Sequence, residues 1–441
     1  MNESNFLQAD SLETRRTFLK KSSLAATATL AAPYIALSPQ TFAISGTLKV
    51  GLVGCGGRGR GAAREALKSD KNVVLTAVGD IFDTQIDNGI KEIGREMEKA
   101  GTPEKLQVEK KFTGLDAYQK VIDSGVDVVL LATPPGFRPQ HLKAAVAAGK
   151  HVFCEKPVAT DAPGVRTALE AVEEARKKNL GLLAGFCWRY SLPERALFER
   201  IQAGEIGDVR VFYGTYYTGP VKPMPPAERR PAGMSDVEWQ LRNWYNFVWL
   251  SGDGLVEQAV HAVDWMCWAF KDVPPLKAVA VGGRQIPAHG GNIFDHFEIN
   301  YEYAEGARGF LGCRQIAGCM NDNTATIYGT KGTARELGFN GANFIKGEKN
   351  WRYSGAKPNM YQQEHDEFFA SLRAGQPIND GVRLCHSTMT AIMGRMAAYT
   401  GEEVTWEEAL NSEIKLVPDN LEWDMNLPVR PMAMPGQNRM A

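Results

Sequence analysis

Leu48-Lys49-Val50-Gly51-Leu52-Val53 runs straight into Gly54-Cys55-Gly56-Gly57-Arg58-Gly59, and this junction constrains the fold more than any other stretch of the chain. The apolar run reads as a buried strand, and the glycines at 54, 56 and 59 have the G-x-G-x-x-G spacing. That spacing has a physical basis. One glycine makes the tight turn, one lets backbone approach a pyrophosphate, and one permits close packing of helix on strand. The helix expected over about residues 61–67 then points its N-terminus at the phosphates. In a chain with 44 glycines the spacing alone is weak evidence, so its flanks must carry the argument.

Residues 73–78 make a second strand ending at Gly79-Asp80, with Asp80 21 residues beyond Gly59. A carboxylate there accepts hydrogen bonds from ribose hydroxyls and repels a ribose phosphate, which favours NAD over NADP. Arg58 and Arg60 are close enough in sequence to hold the extra phosphate, so NADP stays open. Capping of the next turn is the plainer role for Asp80. Residues 126–132 form another near-continuous apolar strand, as in a parallel sheet covered on both faces. Thr133-Pro134-Pro135 follows at its C-terminal end, where such sheets bind ligands. A helix over about 139–148 leads to strand His151-Val152-Phe153-Cys154, which delivers Glu155-Lys156-Pro157, and residues 181–186 read as the last strand. The alternation predicts a doubly wound parallel sheet, a Rossmann domain over residues 44–186. Its expected cofactor contacts are Gly54, Gly56, Gly57, Arg58, Gly59, Asp80, Thr133, Pro134, Glu155 and Lys156.

Residues 187–441 read differently. Strand-like segments at 209–217, 276–281, 296–303, 307–316 and 325–328 are separated by turns such as Glu305-Gly306 and Lys331-Gly332. They predict an α+β domain with a mostly antiparallel open sheet, against which helices around 361–374 and 382–400 pack. Among them lies SGDGLVEQAVHAVDWMCWAF, residues 251–270. As a helix starting near Gly254, it aligns Glu257, His261, Asp264, Trp265 and Trp268 in one stripe beside an apolar stripe of Val256, Val260, Val263 and Cys267. Such a helix can hold a proton-transfer pair at the edge of a cleft. A plain i,i+4 pair and a metal cluster including Asp264 are the competing readings; no further His/Cys cluster completes a metal site.

The glycine turn after a strand, Ala132-Thr133-Pro134-Pro135, and Gly149-Lys150-His151-Val152-Phe153-Cys154-Glu155-Lys156-Pro157 together resemble the Gfo/Idh/MocA family of oxidoreductases. The resemblance implies that Lys156 reaches both nicotinamide and substrate and that its bond to Pro157 is cis. It also implies that His261 is the general base of a D-x-x-x-H motif in which Glu257 replaces the aspartate. Lys156, His261 and Glu257 are then the catalytic set, moving hydride from a secondary hydroxyl of a sugar, glycoside or polyol to NAD(P). Two alternatives accompany this reading. One is redox-neutral glycoside cleavage or epimerisation through transient oxidation. The other is a sugar-binding module without catalysis, for which the change to Glu257 is the support. Arg189, Tyr190 and Asp264 are further substrate candidates; Trp244 and Tyr245 read as core packing or as an aromatic wall for a sugar, Tyr361 as a residue approaching the pocket, and His365 as a solvated residue opening a helix.

Composition narrows the partner. Lys plus Arg number 50 against 51 Asp plus Glu, without the basic excess of a nucleic-acid binder, which points to a small molecule. The seven cysteines are odd in number and include no C-x-x-C, which argues for free buried thiols. Thr14-Arg15-Arg16-Thr17-Phe18-Leu19-Lys20-Lys21 precedes an apolar run over 24–37 that is too short to span a bilayer. Residues 1–43 therefore read as a twin-arginine signal cleaved near Ala43, which makes the export machinery a partner and leaves no lasting membrane anchor. The expected location is periplasmic or otherwise extracytoplasmic. Export in the folded state suits a protein that carries its dinucleotide tightly bound. A homo-oligomer is left open.

Overall fold

The computed structural model describes residues 45–437; the twin-arginine segment and Ala43 lie outside the described residues. The first sheet has six parallel strands: β1 (Leu48–Val53), β2 (Val73–Asp80), β3 (Leu106–Thr113), β4 (Val128–Leu131), β5 (His151–Cys154) and β6 (Leu182–Ala184). Their order is β3-β2-β1-β4-β5-β6. This doubly wound order reverses between β1 and β4, opening a crevice at their C-terminal ends where ligands bind. Burial on both faces explains why β1, β4 and β5 read as apolar runs. Strand β3 escapes that pattern because it is an edge strand, and its exposed Glu109, Lys110 and Lys111 keep the edge soluble.

The second sheet has nine strands: β7 (Val209–Thr218), β8 (Lys277–Gly283), β9 (His296–Glu302), β10 (Arg308–Gln315), β11 (Ala325–Gly329), β12 (Gly332–Glu336), β13 (Phe344–Gly347), β14 (Trp351–Arg352) and β15 (Val404–Thr405). The order is β14-β13-β12-β11-β7-β10-β9-β8-β15, antiparallel except where β10 runs parallel to β7. The helix Val260–Ala269 packs on β7, and the helix Gly381–Thr400 spans from β6 of the first sheet to β8 and β9 of the second. Apolar side chains from both halves therefore join one core, with Val152 and Val256 in the same cluster as Ile299 and Ile392. This shared core fixes the cofactor crevice against the helix that carries His261.

The helix near position 260 departs from the expected regular one. A turn of π-helix, Leu255–Ala259, precedes the α-helix Val260–Ala269. One wide turn shifts the side chains before it relative to those after, so the five-residue stripe does not stay on one face. Asp253 anchors its start. Fully buried, its carboxylate accepts the Phe294 N–H at 2.8 Å and is also held by Gly254 N–H and the Tyr399 hydroxyl.

Candidate active site

The glycine loop makes the close backbone approaches that its spacing predicts. Gly54 has φ +95°, and a Cβ there would lie 2.8 Å from Ala132 C and Thr133 N. A Cβ on Gly59 would lie 1.9 Å from Gly54 O, so loop and helix meet backbone to backbone. Gly56 has nothing within 4 Å of a Cβ position and sits at the N-cap of the helix Gly57–Ser69 without a capping side chain. Open space in front of uncapped N–H groups is what a dinucleotide pyrophosphate requires. The helix begins earlier than the sequence suggests because Gly56 itself serves as its cap.

Asp80 stands at the end of β2, where its carboxylate accepts Cys55 N–H at 2.7 Å and Phe82 N–H at 3.0 Å. It therefore both braces the turns and faces the crevice. Burial raises its pKa above the ordinary carboxylate value, the backbone bonds acting the other way. Arg58 is not free to hold a ribose phosphate, contrary to the expectation that it keeps NADP open. Its guanidinium bonds Glu155, Glu65 at 2.8 Å and Glu364 at 2.8 Å, and it lies 4.8 Å from the Tyr361 ring centre. Arg60 is likewise engaged, with Glu92 at 2.7 Å.

A cavity of about 550 Å³ extends from this loop to the second sheet. Gly54, Gly56, Gly57, Arg58, Asp80, Thr133, Pro134, Glu155 and Lys156 line it from the first half, and Glu257, His261 and Trp265 from the second. Gly59 lies beneath, in the helix–strand contact. The Lys156–Pro157 peptide is cis. Lys156 is a buried residue, 8% exposed, and its ammonium donates to Glu257 O at 2.6 Å and to Glu257 Oε1 at 3.3 Å. The other Glu257 oxygen accepts from Gln258 Nε2 at 2.6 Å. Glu257 therefore holds the lysine, whereas the sequence reading set it to assist His261.

His261 keeps Nδ1 buried without a hydrogen-bond partner among the described residues. Burial first, then the charges of Lys156 and Arg58, push its pKa well below 6.5, so the imidazole is neutral at working pH. A neutral ring with an unpaired nitrogen can accept a proton. A buried ammonium beside it can stabilise an oxyanion.

Other expectations are corrected. Asp264 faces away from the cavity: it takes Arg189 Nε at 2.8 Å and Nη2 at 2.9 Å, and the Ser387 hydroxyl at 2.8 Å. Arg189 also binds Asp272, and Tyr190 donates to Asp380 at 2.6 Å. These three substrate candidates are absent from the cavity wall and instead form buried ion pairs and hydrogen bonds behind it. Trp268 stacks on Phe198 with ring centres 4.3 Å apart. The Glu257-His261-Asp264 metal set therefore does not converge. Trp244 and Tyr361 line the cavity, whereas Tyr245 is core and His365 is fully buried against Phe153. The described cysteines are all unpaired; Cys319 alone among them is exposed. Lys222, Arg242, Asn323 and Phe339 also line the cavity and went unnoticed, because they sit in loops or short helices without a motif around them.

Residues 48–186 match the model of an oxidoreductase family with an NAD-binding Rossmann fold, and residues 195–335 match the GFO/IDH/MocA C-terminal domain. A trans-1,2-dihydrobenzene-1,2-diol dehydrogenase from Oryctolagus cuniculus is 30% identical over 219 residues, 49% of this chain and 57% of that protein. An inositol 2-dehydrogenase from Burkholderia lata is 28% identical over 214 residues, 48% of this chain and 57% of that one. These matches thus span little more than half the length of each relative. Among solved structures, a levoglucosan dehydrogenase in complex with NADH and levoglucosan aligns with a TM-score of 0.64 at 20% identity, covering 81% of this chain and 99% of that one. A scyllo-inositol dehydrogenase from Lactobacillus casei aligns with a TM-score of 0.61 at 20% identity, covering 82% and 99%. With the two family models together covering more than half of its length, the chain belongs to the Gfo/Idh/MocA family of oxidoreductases.

Proposed function

We propose that this protein oxidises a secondary hydroxyl of a sugar, glycoside or polyol and retains its NAD through turnover. The observation that carries the reading is convergence: the glycine loop, Asp80, Lys156 and His261 face one cavity. Bound NAD supplies the hydride acceptor. Gly54 to Arg58 and the helix N-terminus at Gly57 hold the pyrophosphate, and Asp80 accepts from the adenosine ribose. Neutral His261 takes the hydroxyl proton as the carbon-bound hydrogen leaves as hydride. Lys156 stabilises the developing oxyanion, and Glu257 keeps the ammonium in place. The substrate class agrees with relatives named for dihydrodiols and inositols.

Retention is supported by a strap at the C-terminal end of the described chain. Alternate residues Leu421, Trp423, Met425 and Leu427 pack onto an apolar cluster with Phe82, Leu241 and Trp244, which line the cavity. Ser235 Oγ and Gln240 Nε2 donate to the carbonyls of Trp423 and Leu427, each at 2.6 Å. Phe82, two residues past Asp80, is clasped between Trp423 and the Arg242 guanidinium. Retained cofactor must be regenerated in place, either by a second sugar or by return of the hydride to the same substrate. Export in the folded state, which the paired Arg15 and Arg16 support, would carry the dinucleotide out with the protein. The open sheet face bearing Tyr213, Val279, Val281 and Tyr328 would suit a second copy.

The test uses protein as purified. Denaturation should release about one dinucleotide per chain, and addition of sugars and glycosides to the native protein should reduce the bound nicotinamide. A stable rise in reduced nicotinamide means net oxidation, and a rise that decays as product forms means the hydride is returned. An extract free of dinucleotide counts against retention, and absorbance unmoved by every member of the panel counts against the activity.

A further inference from the structure

Beside the main cavity lies a second of about 240 Å³, and Lys222 belongs to the wall of both. Gln315, the last residue of β10, lines the second cavity and is only 8% exposed. One end of its amide accepts from the Tyr245 hydroxyl at 2.9 Å, and the other, Nε2, has no partner among the described residues. Turning the amide round does not remove the vacancy. A tyrosine hydroxyl donates or accepts equally well, and one end of the amide stays unpaired. A buried amide end in that position loses its water and gains nothing until a ligand brings a hydrogen-bonding partner.

The second cavity also touches the machinery of the first. A Cβ on Gly254 would lie 2.6 Å from Gln315 Oε1, so Gln315 abuts the start of the π turn that carries Glu257. Its remaining wall combines polar Asn246, Arg284, His289 and Asp295 with apolar residues such as Pro223 and Ile286. A small pocket of mixed polar and apolar walls, holding one unsatisfied amide end, suits a single polyhydroxylated ring.

We infer that this cavity binds a second sugar unit, joined through a glycosidic bond to the sugar whose hydroxyl faces Lys156 and His261. The inference rests on the proposed function and deepens it: the substrate is a glycoside of at least two units, not a free monosaccharide or inositol. Gln315 donates to a ring or hydroxyl oxygen of the second unit. Lys222, on the wall common to both cavities, donates to an oxygen beside the linkage.

The test is calorimetric titration of the protein as purified with glucose, galactose and N-acetylglucosamine, and with α- and β-linked disaccharides of each. For at least one sugar the disaccharide should bind about tenfold or more tightly than its monosaccharide. Gln315→Ala and the near-isosteric Gln315→Glu should both bring that ratio close to one, as should Lys222→Met, with thermal melts reporting that each variant is folded. The inference is overturned if no disaccharide outbinds its monosaccharide, or if the preference survives in folded Gln315 variants. The functional reading fails separately, when sugars bind yet none alters the nicotinamide absorbance.

Discussion

Replacing Lys156 by methionine separates the two things its ammonium does. Lys156 and Glu257 are 8% and 6% exposed, with Nζ 3.3 Å from Oε1. At an effective dielectric of about 20, unit charges at that distance attract by about 5 kcal/mol. Removing one partner of a buried pair costs about 3–5 kcal/mol, because the other charge is stranded. Lys156→Met should therefore destabilise the fold by about 3–5 kcal/mol. Adding Glu257→Gln should restore most of that loss, since no charge is left alone. Catalysis should respond differently. Without the ammonium the oxyanion has lost its nearest cation, and turnover should fall by about 10³-fold, equivalent to about 4 kcal/mol in the barrier. The double variant should remain as slow as the single one. Urea unfolding measures the first quantity, and single-turnover reduction of bound nicotinamide the second. A double variant that recovers turnover to within tenfold of the parent would refute a direct role for Lys156 and leave it a structural counter-ion.

Four further outcomes are expected. His261 must be neutral to take a proton, and its pKa is held well below 6.5, so kcat/KM should stay level as pH falls through 6.5 and decline only well below it; an acid limb centred at or above 6.5 contradicts the assignment. His141 and His365 are buried neutral, with pKa values pushed down to about 3. The unfolded chain therefore takes up protons first as pH drops below 6.5. Stability is full above that value and is lost progressively toward pH 3, by about 3–5 kcal/mol per histidine, so the urea midpoint should fall with pH and fall less in His365→Phe. Gly54→Val combines φ +95° with a 2.8 Å backbone clash, so its denatured extract should contain no dinucleotide, while Asp80→Ser should narrow the preference for NAD over NADP in reconstituted protein.

Five strands of the first sheet were legible because they are buried on both faces, which leaves apolar runs bounded by glycine and proline, whereas the exposed edge strand β3 was missed. The glycine loop was legible for a related reason: Gly54 and Gly59 are in contact with backbone that excludes a side chain. Strands β12 to β14 were missed because they are short and lie at the outer end of the second sheet. The stripe over 257–268 failed at the π turn, since a period of 3.6 assumes a uniform helix and the wide turn rests on Asp253, whose partners Phe294 and Tyr399 are distant in sequence. Arg189 looked like a substrate contact because it follows a strand end. Its partners, Asp264 and Asp272, lie more than seventy residues on, and no local pattern announces them.

Arg58 illustrates how tertiary charge settles what sequence leaves open. Next to the glycine turn it reads equally as a phosphate ligand and as an ordinary helix residue. Bonding to Glu65, Glu155 and Glu364 commits its guanidinium to joining the glycine loop, the strand end before Lys156 and the helix Met360–Arg373. With Arg60 spent on Glu92, the repulsion of a ribose phosphate by Asp80 is not offset from either side chain. The expected preference for NAD therefore rests on both guanidinium groups being engaged, as well as on the acidic residue that ends β2. The same guanidinium, together with Lys156, disfavours the imidazolium form of His261. Burial is the larger cause of that shift, and the charges of Lys156 and then Arg58 add to it.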